Sequence, residues 1–177
     1  FRDLLDRDEV VLAPVVHNAL AAQVANKVGG FELLGISGYG GSVSALGLPD
    51  AGYISMTEMV ELSRAIAETA DAPVYADADT GFGNAVTARR TARQFIQYTD
   101  IAGLFLEDQV SPKRCGHVSG KRVLPIKEAV GKVRAVCDVR DELDPEFVII
   151  ARTDARGAAG GSLTDAIDRG NAYHEAG

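Results

Sequence analysis

The chain has 177 residues, 46% of them hydrophobic and 24% charged, the composition of one globular domain with a sizeable core. A net charge of −7 argues against nucleic acid as a partner, and no apolar run reaches the roughly 18 residues of a membrane span. Two cysteines, Cys115 and Cys137, make no disulfide framework, and Phe1-Arg2-Asp3-Leu4 carries no targeting signal, so a cytoplasmic setting is expected.

Short β-rich runs alternate with helical stretches. Residues 10–16 (VVLAPVV) read as a buried strand, followed by a helix that Asn18 caps and Gly29-Gly30 end. Residues 31–36 (FELLGI) form the second strand, and 37–44 read as a Gly/Ser-rich loop. Residues 56–70 carry Met59, Val60, Ile66 and Ala67 at helical spacing, with Ser55 or Thr57 as cap. Strand three, 73–76 (PVYA), runs into Asp77-Ala78-Asp79, and helix 85–98 follows with a basic side. Strand four, 101–106 (IAGLFL), ends in Glu107-Asp108; the polar stretch 109–123 has no periodicity. Pro125 suits the first turn of a helix to about Glu142. Strand five, 147–151 (FVIIA), precedes Arg152-Thr153-Asp154, Gly-rich 157–161 reads as a mobile loop, and 162–176 is the last helix, with Ser162 and Asp165 as a capping box.

This alternation implies a parallel sheet with right-handed crossovers. An open doubly wound sheet and a (β/α)₈ TIM barrel both fit it. Polar clusters follow strand after strand at their C-terminal ends, and a barrel gathers all such ends around one mouth. The barrel is therefore the expected fold, with 1–177 as a single partial domain covering about the first five βα units. A barrel left at five units exposes two sheet edges.

Four groupings carry chemistry. Asp50, Asp77, Asp79 and the pair Glu107-Asp108 lie in or after strand ends; three or four carboxylates gathered at one mouth repel one another unless a cation joins them, and oxygen ligands suit Mg²⁺ or Mn²⁺. Taken singly, each is as well explained by loop solvation or helix capping. Lys113-Arg114-Cys115-Gly116-His117 sets a thiol among cations, which favours proton transfer; the bland alternative is a basic surface loop. Arg152 offers a bidentate clamp for a carboxylate, which Asp154 could orient, against the alternative of a surface ion pair. Ser37-Gly38-Tyr39-Gly40-Gly41 could cradle an anion, but it lacks the spacing of a dinucleotide fingerprint. Cys137 falls on an apolar helix face and reads as core.

Taken together, DADTGFG at 77–83, EDQ at 107–109, KRCGH at 113–117 and ARTD at 151–154 resemble the isocitrate lyase/phosphoenolpyruvate mutase superfamily from about residue 10 onward. The resemblance implies that Asp77 binds Mg²⁺ directly while Asp50, Asp79 and Glu107 hold its waters. It implies that Ser37, Gly38, Tyr39 and Arg152 contact the oxo-acid part of a di- or tricarboxylic substrate, with Gly116 and His117 beside it. It makes Cys115 the proton donor and acceptor on a closing loop, with Arg152 stabilising charge and Tyr39 as a guess for the base. Cys-Gly-His in place of the mutases' Asn-Ser-Leu points to C–C bond cleavage. The expected activity is a lyase giving succinate plus glyoxylate or pyruvate from isocitrate or 2-methylisocitrate. Ser-Gly-Tyr at 37–39 keeps 2,3-dimethylmalate lyase and oxaloacetate acetylhydrolase open, and carboxyphosphonoenolpyruvate phosphonomutase is also close. The resemblance further implies a homotetramer. It places additional substrate ligands beyond residue 177, so a chain ending there is expected to be an inactive barrel fragment.

Overall fold

The computed structural model describes residues 1–177. A short helix α1 (Arg2–Leu5) opens the chain; Arg2 donates to the carbonyls of Pro145 and Glu146 at 2.9 and 3.1 Å. Five strands follow, β1 (Val15–Val16), β2 (Leu34–Ile36), β3 (Val74–Asp77), β4 (Gly103–Glu107) and β5 (Val148–Arg152). They form one sheet in the order β1-β2-β3-β4-β5, and every pair is parallel. An open doubly wound sheet reverses its strand order at a switch point; this one does not, so these are successive staves of a barrel wall.

Between the strands run α2 (Ala19–Val28), α3 (Gly38–Leu46), α4 (Met56–Ala67), α5 (Ala85–Tyr98), α6 (Ile126–Leu143) and, after β5, α7 (Leu163–His174). Their starts are written in capping side chains. Asn18 accepts from the Ala21 amide, Asn84 from Val86 and Thr87, and Ser55 and Glu58 form a complete capping box. Ser162 caps α7, but the expected box is incomplete: the Asp165 carboxylate pairs with Arg169 at 2.9 Å instead.

The core lies between the sheet and its helices. Leu34, Ile36, Val74, Ala76, Leu104 and Leu106 meet Met59, Ile66, Ala88, Phe95, Val133 and Val136, all buried. Each large side chain buried there contributes about 1.5–3 kcal/mol. Cys137 is part of this core. Side chains alternate along a strand, so Tyr75, Asp77, Phe105 and Glu107 face the opposite, concave side. Tyr75 stacks on Phe1 at 5.9 Å between ring centroids and meets Phe105 at 6.3 Å.

Two expectations are corrected. The strand at 10–16 shrinks to Val15–Val16, because β2 spans only Leu34–Ile36 and pairs with β1 from Gly35 on; Val10 and Leu12 are 89% and 70% exposed. The stretch 37–44 is not a loop. It begins α3, capped by Ser37, whose hydroxyl accepts from Gly40 at 2.9 Å. Glycine disfavours helix, but here close packing demands it. A Cβ at Gly38 would collide with the Asp77 carboxylate, and one at Gly41 would sit 2.9 Å from Leu62. No helix is long and apolar enough to cross a membrane.

Candidate active site

The strand tips converge. Glu107 and Arg152 are register partners on β4 and β5, and Asp77 ends β3 one strand away. Asp77 Oδ1 accepts from the Asp79 amide at 2.8 Å and Oδ2 from the Gly38 amide at 3.0 Å. The first bond is an Asx turn made by the Asp77 side chain; Asp79 itself lies in left-handed backbone at φ 48°, which aspartate tolerates better than most residues. Both carboxylates thereby face Gly38 at the start of α3.

Lys113 reaches into this group from the 109–123 loop. Its Nζ lies 2.7 Å from Asp50 Oδ1, pairs with Asp79 Oδ1, and stands 4.0 Å from Glu107. Its side chain is 4% exposed. Arg152 Nη1 lies 3.2 Å from Glu107 Oε2, and its Nη2 donates to Asp154 Oδ1 at 2.9 Å. The four carboxylates expected to surround a metal are thus brought to one mouth, but Asp50, Asp79 and Glu107 gather around an ammonium. As the side chains stand, no three His, Cys, Asp or Glu residues are grouped to hold a metal ion. Sequence reading set Lys113 beside Cys115 as an activating cation; the fold commits its charge to the carboxylates.

Burial in this negative surrounding holds the carboxyls toward their neutral form. Desolvation, reinforced by Asp79, raises Asp77 to about 7. Desolvation raises Glu107 to about 8, although Lys113 and Arg152 pull it down. Asp79 is also raised, by burial first. Burial works to lower Lys113, but Asp79, Asp77 and Glu107 keep it above its ordinary value.

In front of the carboxylates lies a cleft of about 340 Å³ lined by Ser37, Tyr39, Asp50, Asp77, Cys115, Gly116, His117 and Arg152. A larger hollow of about 800 Å³ adjoins it and shares Tyr39, Asp50 and Cys115. Asp79 and Glu107 are set behind the cleft wall, and Tyr39, on α3, is 58% exposed. Cys115 is a half-buried free thiol. Its loop is supported by Lys121, whose Nζ donates to the Gly116 and Val118 carbonyls at 2.6 and 2.9 Å. The Ala159 amide donates to the Lys121 carbonyl at 2.9 Å, which ties the Gly-rich stretch at 157–161 to that support.

Asp108, which the sequence groups with the strand-end carboxylates, does not join the mouth. It turns away from the mouth and accepts from Thr153 Oγ1 (2.7 Å), Tyr173 OH (2.7 Å), Arg169 Nη1 (3.3 Å) and the Asp154 amide (2.9 Å). It anchors α7 and the segment after β5. No local pattern announced this; the signal was only that two acidic residues in a row at a strand end must face opposite sides.

The whole chain, residues 1–177, matches the family described as phosphoenolpyruvate phosphomutase. It belongs to that family, and so to the isocitrate lyase/phosphoenolpyruvate mutase superfamily. It is 48% identical over 176 residues to 2,3-dimethylmalate lyase of Eubacterium barkeri, covering 99% of this chain and 59% of that protein. It is 40% identical over 177 residues to 2-methylisocitrate lyase of Bacillus subtilis, covering 100% of this chain and 56% of that protein. Among solved structures it resembles phosphonopyruvate hydrolase in complex with oxalate and Mg²⁺. The TM-score is 0.86 and the identity 36%, over 99% of this chain and 58% of that one. The chain therefore spans little more than half the length of the proteins it matches.

Proposed function

We propose that this chain supplies the catalytic face of a Mg²⁺-dependent lyase that cleaves the C–C bond of a 2-hydroxy di- or tricarboxylic acid. The observation that carries the reading is the shared cleft: Cys115, Arg152, Ser37, Tyr39 and Asp77 all border one space of about 340 Å³. That volume falls in the range of small-molecule sites.

The buried donor set fits a hard divalent cation. It consists of carboxylate oxygens only, it outnumbers its cationic partners Lys113 and Arg152, and burial pushes its members toward protonation. Asp77 would hold the metal, with Asp50, Asp79 and Glu107 around its waters. When bound, the ion supplies a Lewis acid for the substrate's 2-oxygen. Arg152 orients a substrate carboxylate, its guanidinium fixed on both sides by Glu107 and Asp154. Ser37 and the backbone at the start of α3 bind the same end. A base, for which Tyr39 borders the cleft, takes the hydroxyl proton. The C–C bond then breaks, its electron pair goes to the departing fragment, and a 2-oxo acid remains. Cys115 gives its proton to the carbanion carbon.

The 48% identity to 2,3-dimethylmalate lyase and Tyr39 after Ser37-Gly38 favour a dimethylmalate-like substrate. Isocitrate or 2-methylisocitrate is the second reading, favoured by the 40% identity to 2-methylisocitrate lyase. The test sets 2,3-dimethylmalate, 2-methylisocitrate, isocitrate and oxaloacetate against the protein with and without Mg²⁺. Calorimetry reads binding, and release of the 2-oxo acid or of oxalate reads turnover. Cys115→Ser should leave Mg²⁺-dependent binding in place and lower turnover at least about 100-fold. A failure of every acid to bind in a Mg²⁺-dependent way would overturn the reading, and loss of Mg²⁺ affinity in Cys115→Ser would overturn the role of the thiol.

A further inference from the structure

Gln109 has no role in the mechanism above, yet it is 1% exposed and lies where three parts of the site meet. Its Oε1 accepts from the Arg114 amide at 3.0 Å. Its Nε2 faces Asp154 Oδ2 at 2.8 Å, the Arg114 carbonyl at 2.9 Å and Glu107 Oε1 at 3.1 Å. Turning the carboxamide over would aim its oxygen at two carboxylates, so the orientation is fixed. The side chain grips both backbone groups of Arg114, the residue immediately before Cys115. At the same time it rests on Glu107 and on Asp154, the carboxylates that hold Arg152.

We propose that Gln109 is a positioning residue: it registers the backbone leading into Cys115 against the carboxylates that fix Arg152, so that thiol and guanidinium keep one mutual geometry. The role matters for catalysis only on the lyase reading given above. A two-point grip on the two backbone groups of one residue sets direction as well as distance, which a single bond does not. Lys121 supports the loop from its far side, through Gly116 and Val118; Gln109 supports the side that enters the cysteine. Glutamine suits the place for a chemical reason. Glutamate has the same length and can accept from the Arg114 amide. It cannot donate to Glu107, Asp154 or the Arg114 carbonyl as the carboxamide does, and it crowds a third carboxylate against Glu107 and Asp154.

The test needs neither substrate nor metal, so it can fail while the lyase reading stands, and the reverse. Iodoacetamide labels the purified chain, and mass spectrometry follows Cys115 and Cys137 separately. Cys137, 3% exposed in the core, reports any general loosening. In Gln109→Glu the labelling of Cys115 should rise about fivefold, the factor that one lost net hydrogen bond confers on a local opening, with Cys137 unchanged. Gln109→Ala, which removes both arms of the grip, should raise Cys115 labelling in the same direction. The glutamate variant decides. An unchanged Cys115 rate, or Cys115 and Cys137 rising together, would overturn the proposal.

Discussion

Glu107 and Asp108 are adjacent at the tip of β4, and one step along the chain gives them opposite surroundings. Both are almost fully buried, at 2% and 4% exposure. Asp108 meets two hydroxyls, a guanidinium and a backbone amide, and its acceptor capacity is well used. Glu107 shares a mouth with Asp50, Asp77 and Asp79; burial chiefly holds its carboxyl toward the neutral form, Lys113 and Arg152 pull the other way, and Asp77 and Asp154 add repulsion. The first arrangement is what a fold builds when a carboxylate holds elements together. The second costs stability and persists where a site keeps negative charge in hand for a ligand.

The contrast is open to measurement. The largest expected effect is at Asp108. Asp108→Ala removes the acceptor shared by Thr153, Tyr173, Arg169 and the Asp154 amide, leaving the Tyr173 hydroxyl without its partner in the interior, and should cost about 3–5 kcal/mol by urea unfolding. A loss under 1 kcal/mol would dissolve the distinction. Next comes Lys113→Met, which removes the ammonium from Asp50, Asp79 and Glu107. It should cost about 2 kcal/mol in the presence of a chelator. Millimolar Mg²⁺ should recover that loss in a thermal-denaturation midpoint; a midpoint indifferent to Mg²⁺ would count against the carboxylates as a cation site. The smallest effect is at Lys132 on α6. It is buried beside Glu107 and Asp108 in a small hollow and forms no ion pair with either. Burial lowers its affinity for a proton despite Glu128, Asp108 and Glu107 nearby. The unfolded chain thus binds this proton more readily than the folded one, so this lysine's own contribution to stability rises as pH climbs toward the ordinary lysine range, while the raised carboxyls of Asp77 and Glu107 act in the opposite sense up to about pH 8. Lys132→Met should therefore stabilise the chain by about 1 kcal/mol at neutral pH, a gain that shrinks toward pH 10. A gain independent of pH would show that packing, not charge, is responsible.

Much of this was legible in the residues. Apolar runs separated by helical periodicities gave the order of strands and helices, and polar residues at the strand ends located the mouth. Three features were not legible, each for a physical reason. The helix after β2 was hidden by Gly38, Gly40 and Gly41, whose low propensity is outweighed by a serine cap and by contacts that only a glycine permits. The first strand looked longer than it is, because apolar character marks what can pair, while pairing length depends on the neighbour. Lys113 and Gln109 sit in an aperiodic stretch, and nothing local says which way such side chains turn. The direction is set by carboxylates on other strands.

The cap on α3 has a consequence for recognition. Ser37 Oγ receives the Gly40 N–H through a lone pair, which leaves the hydroxyl's own hydrogen free to rotate toward the cleft that Ser37 borders. One oxygen therefore both starts a helix and leaves a hydroxyl donor at the edge of the cleft. Asparagine or aspartate would satisfy the helix as well as serine does, yet aspartate would greet a carboxylate with a second negative charge. At this position the needs of folding admit several residues; on the proposed lyase reading, an anionic substrate disfavours aspartate among them.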